Sequence, residues 1–209
     1  MSLIEESGEK IFWLWRSQEI IKEILVDRKL PKIEPMPFSK FVEWVGEFET
    51  EELLKEAMEM VVGEEKNKTM IFWSLKPKLG TNIRDMKIKM ETEEAKKAIV
   101  ICDDSVTTNS KKIINDLRYQ GVFVDVYSLD EMQINISKHR LVPKHEICSS
   151  KKKKELMRSY SLTATQIPRI SHADPMVRHL RAVKGQLIKI TRPSETQYDK
   201  MFITYRIVS

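Results

Sequence analysis

Residues 98–129 read AIVICDDSVTTNSKKIINDLRYQGVFVDVYSL, and they decide the fold. Ala98–Cys102 is an apolar run of strand length, and Val122–Leu129 is another. Between them Ser110–Gln120 has helical spacing, with Ile113, Ile114 and Leu117 on one face and Gly121 placed to cap the C-terminus. Thr69–Leu75 (TMIFWSL) is a third apolar run upstream, followed by a helical stretch over 82–90. Strand, helix, strand, helix, strand implies right-handed crossovers, a parallel sheet, and a ligand edge at the C-terminal ends of the strands.

Nearer the N-terminus, apolar residues at Ile11, Leu14, Ile21 and Leu25 predict a first helix. Gln18 interrupts the stripe, and Lys22, Glu23 and Asp27 lie on the polar face. Pro31, Pro35 and Pro37 form a bent linker, and Phe38–Val45 is a short helix. Thr50 caps a further helix expected to run to Gly63. After about residue 133 the texture changes. Ser149 or Ser150 starts a helix with Leu156, Met157 and Tyr160 on one side. Asp174 caps a short helix from Pro175 to Leu180. Two alternating strands follow, with Ile188 and Ile190 inward on the first and Ile203, Tyr205 and Ile207 on the second. A buried face is expected to hold that last strand in register.

The 209 residues are 41% hydrophobic and 32% charged, a globular composition, and carry a net charge of +5. Residues 133–209 hold 16 Lys and Arg against 5 Asp and Glu, or +11. Residues 1–132 hold the remaining 20 and 26, or −6. That split suggests two bodies with different partners, the basic one facing nucleic acid or an acidic protein. No apolar run reaches the length of a membrane helix, and the N-terminus carries acids where a signal peptide carries bases. Cys102 and Cys148, far apart, suit a reducing compartment better than a disulfide framework.

A nuclease core needs an acid followed by a Glu-x-Lys triplet on the next strand. Asp85 and Glu94-Ala95-Lys96 are the candidates, but the triplet precedes its strand in a solvated run of charges. Asp103 and Asp104 end a strand without a glycine-rich loop. His139, His145, His172 and His179 lack metal-ligand spacing. No cofactor or metal is expected. Lys151–Lys154 splay around a helix and read as a solvated face. Thr107, Thr108, Asn109, Ser110, Lys111 and Lys112 set hydroxyls and two bases at a helix start, where phosphate can bind.

The C-terminal run carries Pro168-Arg169-Ile170, Asp174-Pro175, Arg178, Lys184-Gly185-Gln186, Lys189-Ile190, Arg192-Pro193-Ser194-Glu195-Thr196 and Ile203-Thr204-Tyr205-Arg206. Asn135-Ile136, His139, Leu141-Val142-Pro143 and His145 precede it. Leu14-Trp15-Arg16, Asp27-Arg28 and Pro77-Lys78 with Gly80 lie earlier. On these residues the chain resembles the fifth subunit shared by the eukaryotic nuclear RNA polymerases, whose C-terminal part alone corresponds to a small subunit of the archaeal polymerase. It departs from that pattern at Thr108, where the family has Pro, at Arg181, where it usually has Gly, and in a longer turn after Thr196. The departures suggest a divergent copy, such as a large DNA virus with its own polymerase would carry.

The resemblance implies an α/β protein of two parts. Residues 1–132 would be a jaw domain with a mostly parallel sheet, of restriction-endonuclease-like topology without its active site. Residues 133–209 would be a small mixed α+β assembly domain. The chain would be a non-catalytic subunit of a DNA-directed RNA polymerase. Its implied partners are the largest subunit, other polymerase subunits and downstream double-stranded DNA. Thr107 to Lys112 would be the DNA-proximal loop. Arg169, Asp174, Arg178, Arg192, Ser194, Glu195, Thr196, Tyr205 and Arg206 would supply the subunit interface. The run from Arg192 to Thr196 either bonds another subunit or closes the module's own sheet. A cellular copy implies the nucleus, and a copy from a cytoplasmic virus the host cytoplasm or virion. The alternative is a free-standing nucleic-acid-binding module built on the basic C-terminal body.

Overall fold

The computed structural model describes residues 8–34, 36–64, 68–74, 79–103, 108–194 and 200–209, with only the backbone described at 79–84. The chain forms two compact units, Met1–Ile134 and Asn135–Ser209. Among the described residues no helix is long and apolar enough to cross a membrane.

The first unit is built on a four-stranded sheet in the order β1 (Met60–Val62), β2 (Thr69–Ser74), β3 (Lys97–Cys102), β4 (Phe123–Ser128). β2, β3 and β4 are parallel, as their apolar runs predict, and β1 is antiparallel to β2. The strands step in one direction, so right-handed crossovers put both connecting helices, α4 (Leu79–Thr92) and α5 (Thr108–Tyr119), on one face. Met70, Phe72, Ala98, Val100 and Val124 point to them. The alternate residues, Ile71, Trp73, Ile99, Ile101 and Tyr127, point to the opposite face. There α1 (Gly8–Asp27), α2 (Phe38–Gly46) and α3 (Glu51–Met58) cover them.

Because α1 lies against that face, it buries a wider arc than its apolar stripe suggested. Gln18 and Lys22, expected as an interruption and a polar-face residue, are both buried, and the Lys22 ammonium donates to Glu19 Oε1 at 2.9 Å. Ser17, completely buried, accepts from Trp73 Nε1 at 3.0 Å and donates to the Leu14 carbonyl at 2.6 Å. After α1, Arg28 donates to Asp125 Oδ2 at 2.9 Å and to the Tyr127 hydroxyl at 3.1 Å, tying the helix end to β4. The α3 helix stops at Met58, not Gly63. Thr50 caps it as expected, but Glu59 is extended and Val61 and Val62 form the edge strand β1.

The second unit has a sheet in the order β5 (Lys144–Ile147), β7 (Leu187–Pro193), β8 (Met201–Val208), β6 (Arg169–Ile170). The alternating strands are β7 and β8. The short β5 and β6 carry no such pattern. α7 (Pro175–His179) packs on one face with Val177, Ala182, Ile188 and Val208. α6 (Ser150–Ser159) packs on the other with Leu156, Leu187 and Ile207. Ser149 caps α6 and Asp174 caps α7, accepting from the Met176 and Val177 amides. Tyr160, expected on the apolar side of α6, is 70% exposed.

α1, α4, α5, α6 and α7 end alike. In each, a residue with positive φ follows the helix, and two backward hydrogen bonds close the last turn. Lys29, Glu94, Gly121, Ser161 and Arg181 hold that position. At Arg181, φ is +54°, with Arg181 N–H bonded to Arg178 O and Ala182 N–H to Val177 O. Glycine would adopt this left-handed backbone without strain, which fits the departure at Arg181 that the resemblance implies.

Two stability effects follow. Arg181→Gly should raise the stability of the second unit by about 1 kcal/mol, read from urea unfolding of the full chain. Asp125→Ala should cost the first unit about 3 kcal/mol, because it removes the carboxylate that balances a buried guanidinium. A loss below about 0.5 kcal/mol would contradict that role for the pair.

Candidate functional site

In the first unit, the C-terminal edge of the sheet is where a parallel fold offers ligands a place. The described residues there line an open cleft of about 400 Å³ between α3 and α4, walled by Lys55, Glu59, Ser74, Asp85 and Lys89. Lys89 makes an ion pair with Glu59 at 2.9 Å. Burial pulls the Lys55 ammonium below the usual lysine range, against the attraction of Glu51. This cleft holds the Asp85 of the nuclease pattern but not its triplet. Lys97 pairs with Thr69 and Cys102 with Ser74, so Glu94-Ala95-Lys96 lies at the start of β3. That is roughly 17 Å of strand away from the cleft. Glu94 instead closes the end of α4.

α5 begins beyond the same sheet edge. Thr108 and Asn109 open it exposed, and Lys111 and Lys112 follow, also exposed. Ser110 is buried and so faces away from any solvent-borne ligand. Thr107 lies outside the described residues. The first turn holds no acid, and Lys111 and Lys112 are the fourth and fifth residues of the helix. Cations there oppose the helix dipole, and basic side chains at a helix start are a setting that favours an anion.

The histidines do not converge. His145 Nδ1 lies 2.7 Å from the Pro143 carbonyl, His139 Nδ1 accepts from the Leu141 amide, and His179 is buried. Among the described residues no group of three or more His, Cys, Asp or Glu is placed to hold a metal. Cys102 and Cys148 form no disulfide, and burial pushes the Cys148 thiol up from its usual range.

In the second unit, the residues expected at an interface separate into two kinds. Asp174 caps α7, and Ser194 N–H bonds to Lys200 O at the neck of the β7–β8 hairpin. Arg206 Nη1 donates to the Arg169 carbonyl at 3.1 Å, so these residues also hold the module together. Arg192 lies over the Phe202 ring at 5.3 Å, on the solvent side of the hairpin. Arg178 and Tyr205 are half-buried, while Arg169, Arg192 and Arg206 are exposed. Glu195 and Thr196 lie outside the described residues. In the Lys151–Lys154 run, Lys153 is no free solvated base: its Nζ donates to the Gly185 carbonyl at 2.7 Å.

Sequence reasoning missed the apolar end of the hairpin. A buried face was expected along the whole of β8, but only Ile207 and Val208 are buried. Met201, Phe202 and Ile203 are 61%, 52% and 45% exposed. The two cores reach Leu187–Ile190 and stop, so the distal half of the hairpin projects past them with apolar side chains on both faces. The signal was present in Met201-Phe202-Ile203, three consecutive apolar residues where alternation would bury only two.

Residues 134–208 match the family described as RNA polymerase Rpb5, C-terminal domain. The "DNA-directed RNA polymerases I, II, and III subunit RPABC1" of Caenorhabditis briggsae is 28% identical over 203 residues, covering 93% of this chain and 95% of that protein. The corresponding Dictyostelium discoideum subunit is 32% identical over 139 residues, 66% of this chain and 70% of that protein. "DNA-directed RNA polymerase subunit 5-like protein 1" of Arabidopsis thaliana is 30% identical over 142 residues, 67% of this chain and 66% of that protein. The chain belongs to this family, the non-catalytic fifth subunit of the multisubunit DNA-directed RNA polymerases.

Proposed function

We propose that residues 135–209 dock the chain on the largest subunit of a DNA-directed RNA polymerase, and that the first unit forms part of the jaw beside downstream DNA. The observation that carries the docking is the projecting hairpin. Met201, Phe202 and Ile203 are exposed together and flanked by Arg192, Lys200 and Arg206. An apolar centre with a basic rim suits a protein interface whose partner is acidic. The guanidinium groups supply directional bonds that set register.

The jaw reading rests on charge and on α5. Residues 1–132 carry a net −6, which limits non-specific attraction to DNA. The exposed Thr108, Asn109, Lys111 and Lys112 supply a local phosphate-binding point. Such a contact holds moving DNA lightly, since each neutralised phosphate adds a limited, salt-dependent increment. A cellular copy works in the nucleus with the other polymerase subunits, and a copy from a cytoplasmic virus works in the host cytoplasm or virion.

Replacing Lys111 and Lys112 together by Glu should lower transcript output and flatten the salt dependence of DNA engagement by about two units of log–log slope, while assembly survives. Loss of assembly instead would refute the jaw assignment. Arg192→Ala or Arg206→Ala should loosen retention of the chain in the polymerase, by about tenfold for a charge-assisted contact at the rim. Unchanged co-purification in high salt would count against those residues. A salt-sensitive gel shift by the full chain, without polymerase, would favour the free nucleic-acid-binding reading based on the +11 body.

A further inference from the structure

Antiparallel strands bond through alternate residues, so the register of the hairpin fixes which backbone groups of β8 are used. Leu187 pairs with Ile207 and Pro193 with Met201 along β7 and β8. Ser194 N–H bonds to Lys200 O, and Val208 N–H to Gln186 O. The bonded pairs therefore fall on the even residues of β8: 200, 202, 204, 206 and 208. The N–H and C=O of Met201, Ile203, Tyr205 and Ile207 point to the other edge. Ile207 confirms the phase, since its N–H bonds to the Pro168 carbonyl at the start of β6.

β6 covers only Ile207 and Val208. Upstream of them, the outward backbone groups of Met201, Ile203 and Tyr205 meet no strand among the described residues. Open edges elsewhere in this sheet are guarded. Pro193 has no N–H to offer beyond the end of β5, and β5 is four residues long and carries the Lys144–Glu146 ion pair. The β8 edge has no proline, and its side chains Met201, Phe202 and Ile203 are exposed and apolar.

We propose that the outer edge of β8 from Met201 to Tyr205 is a strand-addition site, which takes an extended segment of the docking subunit with apolar residues at its centre and acids at its ends. The inference rests on the docking reading above. Main-chain bonds to the three outward residues would supply affinity, and the exposed apolar side chains on both faces would supply specificity. The acids follow from charge: Lys200 and Arg206 flank the edge, and the exposed Arg169 lies beside it on β6. A second copy of this chain fits poorly. Two β8 edges paired antiparallel about Ile203 would set Lys200 of each against Arg206 of the other, and like charges directly opposite are destabilising.

The test is hydrogen exchange at single amides of the full chain, free and in affinity-purified polymerase. The amides of Met201, Ile203 and Tyr205 should exchange freely in the isolated chain and slow by at least about tenfold on assembly. Those of Phe202 and Thr204 should be slow in both states. Ile203→Pro removes an N–H the hairpin does not use, and should cut retention by at least about tenfold with the circular dichroism spectrum intact. Thr204→Pro, which removes a bonded N–H, should disturb the hairpin itself. A retained chain whose three amides stay fast would overturn this inference alone. A wild-type chain never retained by polymerase subunits would sink the docking reading and this inference together. Protection already present in the free chain, with a mass that doubles with concentration, would make the occupant a second copy and refute the proposal.

Discussion

The phase of the β7–β8 ladder governs what the C-terminal unit offers its surroundings. Once even residues of β8 bond to β7, odd residues must face the other edge, and every side chain is assigned to one face or the other. Leu187 and Ile207 then meet the α6 side, and Ile188, Ile190 and Val208 the α7 side. These two small cores fix only the proximal half of the hairpin. The distal half is built from the same kind of apolar residue but lacks anything to cover it. In a module of this size such exposure is costly in isolation and is expected of a chain that works inside a complex.

The first unit is organised differently, around a sheet covered on both faces. Its strand order sends α4 and α5 to one side, and α1, α2 and α3 seal the other. Two polar anchors hold the seal: Trp73 on Ser17, and Arg28 on Asp125 and Tyr127. Both need their partners, because each buries a donor that water cannot reach. At the C-terminal sheet edge Asp85 stands without the Glu94-Ala95-Lys96 triplet, which precedes the opposite end of β3. An α/β sheet of this kind does not by itself carry an activity.

Much of this was legible in the sequence. The parallel strands announced themselves as unbroken apolar runs, because burial on both faces removes alternation. The caps at Thr50, Ser149 and Asp174 followed from side chains that accept backbone bonds. Helix ends were harder. Gly121 was readable, but Lys29, Glu94, Ser161 and Arg181 do the same work without glycine, so no residue type marked them. β1, β5 and β6 escaped because two to four residues are too few to show a period. The buried Lys22 was misassigned because its burial depends on where α1 packs, a tertiary fact. Arg169, Arg192 and Arg206 were legible as surface cations, whereas the open backbone edge beside them depends on register and has no signature in composition.

The most direct measurement is to isolate the full chain from the cells or virions that make it and determine what it is bound to. The expected result is a stable, large assembly in which the chain is stoichiometric with the largest polymerase subunit. A chain found only as a free monomer, with no polymerase subunit retained, would contradict a role inside the polymerase.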